Sequence, residues 1–213
     1  MTDLVLWRHG QTDYNLDGRI QGRVDIPLNE TGLAQARAAV DGLAALNPSR
    51  IVSSPLQRAR ATAETLAETL GLDVMVEADL VEKSFGDWEG LTSEQIAKDW
   101  PRQFADWRTT GDPQGVGVET RAGAAARVGE VLRRLAEGVG SDDVVVVVSH
   151  GAALSLGATH LLGLDAASWS GLRGMSNCHH GVLRSGRRPP GWMLVTWNDG
   201  PPVEPSPLGR ILW

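Results

Sequence analysis

Four consecutive apolar residues, Leu4-Val5-Leu6-Trp7, stop at Arg8-His9-Gly10, a pattern that predicts a short buried strand delivering a basic pair to a loop. Leu33, Ala36, Val40 and Leu43 recur at helical spacing and predict a helix of about 15 residues. Ile51-Val52-Ser53 reads as a second strand. Ser54-Pro55 reads as a helix start, with serine as the cap, proline in the first helical position, and Leu56, Ala59, Ala63, Leu66 and Leu70 as the buried stripe. Arg58 then falls in the first turn. Val74–Val76 predicts a third strand, and Glu82–Gly90 a loop rich in charge and aromatics. Thr92 and Gln95 form a capping box for a short helix ending near Trp100-Pro101, with another helical piece over Arg102–Arg108. Thr109–Val118 is glycine-rich and predicts a mobile surface loop. Glu119–Val139 predicts a helix with Val128, Val131, Leu132 and Leu135 on its apolar side, while the five consecutive valines within Asp143–Ser149 predict a strand buried on both faces. His150-Gly151 follows at once, then a helix over Ala152–Leu162. Gly181–Leu183 and Trp192–Trp197 flank Arg187-Arg188-Pro189-Pro190-Gly191 as a hairpin.

Strands alternating with helices predict an α/β protein of three layers, α/β/α, with a mostly parallel central sheet and an antiparallel edge. No repeat or linker divides the chain. The expectation is one domain over 1–198 with a capping segment at about 83–118, followed by an extended Pro/Gly-rich tail over 199–213. The 213 residues, 42% hydrophobic and 22% charged, suffice for a sizeable core, and no apolar run approaches the ~20 residues that span a bilayer. Met1-Thr2-Asp3 passes straight into Leu4-Val5-Leu6-Trp7 without the basic region or small-residue cleavage site of a secretory signal, so the expected compartment is the cytoplasm. The single cysteine, Cys178, reads as a small buried apolar residue. A net charge of −6 and a pI near 5.3 exclude a broad basic surface for nucleic acid, so an anionic ligand needs a local pocket.

Three predicted strands end beside a basic functional residue: Leu4–Trp7 before Arg8-His9, Ile51–Ser53 before Arg58, and Val144–Val148 before His150. Ligands of open α/β sheets bind outside the carboxyl ends of strands, so two arginines and two histidines are placed to converge. A phosphoryl group suits two guanidinium forks and a protonated imidazole, and Gly10 and Gly151 let backbone N–H groups approach it. His160 and the pair His179-His180 have nothing placed around them and read as structural.

The string Arg8-His9-Gly10-Gln11-Thr12-Asp13-Tyr14-Asn15, then Gln21-Gly22 and Pro27-Leu28-Asn29-Glu30-Thr31-Gly32, resembles the N-terminal signature of the histidine phosphatase, or phosphoglycerate mutase-like, superfamily. The resemblance continues through Ser53-Ser54-Pro55-Leu56-Gln57-Arg58-Ala59-Arg60-Ala61-Thr62-Ala63, Leu80-Val81-Glu82, Phe85-Gly86-Asp87-Trp88-Glu89-Gly90 and Val148-Ser149-His150-Gly151. It implies a phosphoglycerate mutase-like fold and a phosphoric monoester hydrolase acting on a small phosphorylated metabolite. His9 is then the nucleophile that becomes a phosphohistidine. Arg8, Arg58 and His150 hold the phosphoryl oxygens, Thr12, Asn15, Gln21, Gly22 and Gly151 complete the binding pocket, and Glu82, partly buried beside Phe85 and Trp88, is the acid for the leaving group. Asp87 and Glu89 are rivals for that role that only the family pattern sets aside. No metal-ligand spacing is visible, and no cofactor or metal is expected.

The Phe85–Thr92 segment and the short region after it look like the phosphatase branch rather than the mutases. Gly10–Asn15, Gly86–Thr92 and Trp169–Asn177 look most like the actinobacterial glucosyl-3-phosphoglycerate phosphatases in that branch, although broad-specificity and α-ribazole phosphatases share much of the pattern, and a mutase is the alternative activity. Substrate choice is expected from the segment between Glu82 and Glu119, with Arg19, Arg23, Arg102 and Arg108 as candidate contacts for a second anionic group. Similar proteins often dimerise, and the edge strand Trp192–Trp197 is the expected surface.

Overall fold

The computed structural model describes residues 1–140 and 142–201. Its strands are β1 (Asp3–Arg8), β2 (Arg50–Ser53), β3 (Val74–Val76), β4 (Val144–Ser149), β5 (His180–Ser185) and β6 (Trp192–Asp199). They form one six-stranded sheet in the order β3-β2-β4-β1-β5-β6. The first four are parallel, and β5 and β6 run antiparallel at one edge, as the hairpin pattern predicts. The longer helices are α2 (Glu30–Ala44), α3 (Gln57–Leu70), α6 (Arg121–Glu137) and α7 (Gly151–Leu161); α1 (Asp13–Leu16), α4 (Ser93–Asp99) and α5 (Pro101–Thr110) are shorter. Among the described residues no helix is long and apolar enough to cross a membrane.

The alternation of a strand explains the valine run. Val145 and Val147 pack with Leu4, Leu6 and Val52 against α6 and α7, while Val146 and Val148 pack with Val5, Trp7 and Ile51 against α2 and α3. Every one of these side chains is buried, and each contributes about 1.5–3 kcal/mol of transfer free energy, so the centre of the sheet is its firmest part. A separate apolar cluster of Ile20, Trp88, Ile96 and Val116, with Phe85, Trp100, Phe104 and Trp107 around it, holds the segment after Glu82 together.

Three local expectations are corrected. Ser54 does not cap α3: the helix starts at Gln57, its N-cap Leu56 offers no side chain, and Asp25 Oδ1 accepts the Gln57 N–H at 2.8 Å from another loop. Thr109 and Thr110 complete α5, and the loop after them is pinned rather than a free surface excursion. Val116 is buried and its carbonyl accepts the Asp87 N–H, while Lys83 Nζ donates to the Gly111 carbonyl at 2.9 Å. The helix expected from Glu119 begins at Arg121, because Thr120 caps it with an extended backbone and a hydroxyl that accepts the Gly123 N–H; Glu119, ahead of the cap, pairs with Arg23 and Arg127. Of the expected tail, Asp199 closes β6, and residues 202–213 lie outside the described residues.

Candidate active site

Neighbouring strands β1, β4 and β2 end side by side, Arg8 opposite Ser149 and Val148 opposite Ser53. The next residues are His9, His150 and Ser54. The His9 N–H donates to the Ser149 carbonyl at 3.0 Å and the Ser54 N–H to the Val148 carbonyl at 2.9 Å, so the ladder itself sets these side chains at one rim. The two imidazoles meet edge to face, ring centroids 5.2 Å apart. Gly10 turns the chain tightly over the start of α2: a Cβ there would lie 2.3 Å from the Gly32 carbonyl oxygen.

Nδ1 of His9 lies 2.7 Å from the Gly10 carbonyl oxygen. A carbonyl can only accept, so Nδ1 carries the hydrogen and Nε2 of the neutral ring keeps its lone pair. Burial, then Arg58 and Arg8, hold the pKa of His9 well below its usual 6.5, so the ring is neutral and nucleophilic at neutral pH.

Arg58 is fully buried in the first turn of α3. Its Nη1 and Nη2 donate to the carbonyls of Val24 and Gly22 at 2.8 and 2.9 Å, which aims the guanidinium. Gly22 is needed there: its φ is +52° and a Cβ would fall 2.1 Å from Glu89 Oε1. Burial lowers the pKa of Arg58 to about 10, against the pull of Glu82 and Asp25; it remains a cation at pH 7. Arg8 Nη1 donates to the Met175 carbonyl, and Gly151 leaves space beside its guanidinium.

Buried polar atoms are nearly always paired. Six side-chain nitrogens and oxygens among the described residues are not, and three of those six belong here: Nε of Arg8, Nε of Arg58 and Nδ1 of His150. Three unpartnered nitrogens around a nucleophilic imidazole fit an anion with several oxygens. The expected protonated imidazole is not what the free site favours, because burial, Arg58 and His9 push His150 well below 6.5. Its Nε2 instead lies 2.8 Å from the Ser54 hydroxyl.

The Glu82 carboxylate spans the N-terminus of α7, Oε1 accepting the N–H groups of Lys83 and Ala153 at 2.7 and 2.8 Å and Oε2 that of Ala152 at 3.1 Å. Backbone donors, rather than the apolar surroundings expected from Phe85 and Trp88, fix its position. Of its rivals, Asp87 is exposed, and Glu89 Oε1 is occupied by the Phe85 N–H at 2.9 Å.

The structure brings Thr12, Asn15 and Gln21 together: Thr12 Oγ1 donates to Gln21 Oε1 at 3.0 Å, and Asn15 closes a capping box with Thr12. Two further residues carry no local signal in the sequence. Asn177 donates to the carbonyls of His9 and Gly10 at 3.0 and 3.1 Å, and the Thr62 hydroxyl accepts the Gly10 N–H while donating to the Arg58 carbonyl. Arg19 and Arg23 are already engaged by the Gly90 carbonyl and by Glu119, whereas Arg102 and Arg108 are exposed. His160 is exposed, His179 is buried and bonded to the Asn177 carbonyl, and burial pushes the Cys178 thiol up to about 12, which leaves it inert. Among the described residues no three His, Cys, Asp or Glu side chains are grouped to hold a metal. An open groove of about 460 Å³ between α2 and α3 lies apart from these residues and carries Asp41, Glu64 and Glu68 against Arg37, the wrong balance of charge for a phosphate.

Residues 4–200 match the family model of the histidine phosphatase superfamily (branch 1). A glucosyl-3-phosphoglycerate phosphatase of Mycobacterium tuberculosis is 40% identical over 219 residues, covering 96% of this chain and 98% of its own. The solved structure of a mycobacterial glucosyl-3-phosphoglycerate phosphatase with VO3 superposes with a TM-score of 0.85 at 39% identity, covering 93% of this chain and 99% of the other. A phosphoserine phosphatase of Entamoeba histolytica, solved with 3-phosphoglyceric acid, gives 0.78 at 28% identity over 94% of this chain and 98% of its own.

Proposed function

The chain belongs to the histidine phosphatase superfamily and is a phosphatase of that family, and from that premise we propose that it hydrolyses glucosyl-3-phosphoglycerate or a closely related glycerate phosphate through a phosphohistidine at His9. The observation that carries the mechanism is the His9–Gly10 contact, which leaves the Nε2 lone pair among three unpartnered nitrogens of Arg8, Arg58 and His150. Nε2 attacks phosphorus as the P–O bond to the sugar acid breaks, and the oxygens of the transferring group are met by the two guanidinium groups and His150. Glu82 gives its proton to the departing oxygen. Water then attacks the phosphohistidine, Glu82 takes its proton, the P–N bond breaks and inorganic phosphate leaves.

Two arginines supply the positive charge that a metal would otherwise bring, so activity should persist in excess EDTA. Substrate choice rests on the similarity to the mycobacterial enzymes, and we assign it to the segment of 83–118 that follows Glu82. A panel containing glucosyl-3-phosphoglycerate, 3-phosphoglycerate, phosphoserine and α-ribazole phosphate, scored by kcat/KM for phosphate release, tests this reading. The first should lead; equal rates on all four would sink the assignment, and isomerised phosphoglycerate without free phosphate would make the chain a mutase.

A further inference from the structure

Ser54 sits directly after β2, its side chain buried, with Oγ 2.8 Å from Nε2 of His150 across 96 residues of sequence. We propose that Ser54 is a positioning residue that fixes His150 as the Nδ1–H tautomer, so that an uncharged imidazole still presents a hydrogen-bond donor to the phosphoryl group. The inference rests on the phosphatase reading for its consequence, but not for the tautomer.

The proton count decides the direction of the bond. Oγ already accepts the Leu56 N–H at 3.4 Å. Were His150 to donate from Nε2, Oγ would accept twice and its own hydrogen would have no acceptor among the described residues, at a fully buried position. With the hydroxyl donating to Nε2, every hydrogen of the serine is used, and the ring hydrogen of neutral His150 must lie on Nδ1. Nδ1 is the atom without a partner, like Nε of Arg8 and of Arg58. All three are then donors, whereas the other tautomer would set a lone pair among them and repel an anion's oxygens.

The two histidines thus share one tautomer and use opposite ends of the ring. His9 bonds through Nδ1–H to Gly10 and offers the Nε2 lone pair; His150 accepts at Nε2 from Ser54 and offers Nδ1–H. Burial beside two guanidinium groups opposes a charged His150, and the serine removes the need for the charge. Ser54 does not cap α3 because its Oγ accepts only the Leu56 N–H, ahead of the helix, while Asp25 Oδ1 accepts the N–H of Gln57, the first helical residue.

The test is the long-range ¹H–¹⁵N spectrum of the histidine rings in the ligand-free protein near pH 7.5, paired with kinetics of Ser54→Ala and Ser54→Thr. The wild type should show His150 protonated on Nδ1 alone. Ser54→Ala should shift it toward Nε2–H and lower kcat/KM about 10- to 100-fold, the loss of one hydrogen bond to a charged group. Inorganic phosphate binding should weaken in step, and Ser54→Thr should restore both the tautomer and the rate. His150 protonated on Nε2 in the wild type, or an unchanged tautomer and rate in Ser54→Ala, would overturn the proposal. Because the spectrum needs no substrate, it stands or falls without regard to the phosphatase activity, and it gives an answer in the wild type even if neither variant folds.

Discussion

The Gly10 N–H and the Arg58 carbonyl meet on one side chain: Thr62 Oγ1 accepts from the first at 3.1 Å and donates to the second at 2.8 Å. The loop that carries His9 is thereby fastened to the turn of α3 that carries Arg58. Thr62→Val keeps the shape and removes the hydroxyl, leaving a buried N–H without its partner, at a cost of about 1–3 kcal/mol. The expected outcome is that loss in chemical denaturation, with kcat/KM lower by about tenfold or more because nucleophile and guanidinium drift apart. Wild-type values for both would remove Thr62 from the account.

Glu82→Gln keeps the shape of the side chain and, through its one amide oxygen, the contacts with Lys83 and Ala153; it gives up the acceptor for the Ala152 N–H and cannot exchange a proton. On an alkyl phosphate kcat should fall about 10²- to 10⁴-fold. On an aryl phosphate with an acidic phenol the first step needs little help, so phosphohistidine formation should be nearly normal while its hydrolysis is slow, giving a burst. An equal loss in the first step on both substrates would point to a role for Glu82 other than acid and base.

Both site histidines are held well below 6.5 by burial and by Arg58, which sets the sign of a pH dependence. Below about pH 6.5 the unfolded chain takes up protons that the folded chain refuses, so stability is full above that pH and falls on acidification. The slope reaches about 1.4 kcal/mol per pH unit for each histidine until the folded rings protonate. Denaturation midpoints from pH 8 to 5 should show the fall, and His150→Asn should lessen it. A flat profile for the wild type between 6.5 and 5 would contradict the burial argument.

Phosphate or vanadate should stabilise the folded protein by giving the unpartnered nitrogens their acceptors. At one hundred times Kd the gain is about 2.7 kcal/mol, or about 5–10 °C in Tm for a chain of this size. Arg58→Ala should lose most of that shift even if its own Tm is unchanged. A shift as large as that of the wild type would place the anion elsewhere.

Much of this site was legible in the sequence because its main members stand at strand ends, where an apolar run stops at a polar residue. Arg8 closes β1, His9 and His150 follow the two central strands directly, and Arg58 stands in the first turn of α3, the helix after β2. What escaped was set by contacts across the chain. Ser54 obeys the local grammar of a helix cap, yet His150, 96 residues away, takes its hydroxyl. Thr62 and Asn177 resemble any helix threonine and loop asparagine until the fold places Gly10 beside them. Glu82 could be told from Asp87 and Glu89 only by the family resemblance, since its partners on α7 lie 70 and 71 residues on. The loop at 111–118 looked free because its glycines were legible and the burial of Val116 was not.

The most direct test is covalent. Labelled substrate is mixed with the enzyme, quenched in alkali within milliseconds, and the peptides are sequenced by mass spectrometry. Phosphate stable to alkali and labile to acid should sit on His9 and nowhere else, and His9→Ala should carry none and turn nothing over. Full activity in His9→Ala, or the label on any other residue, would contradict the account.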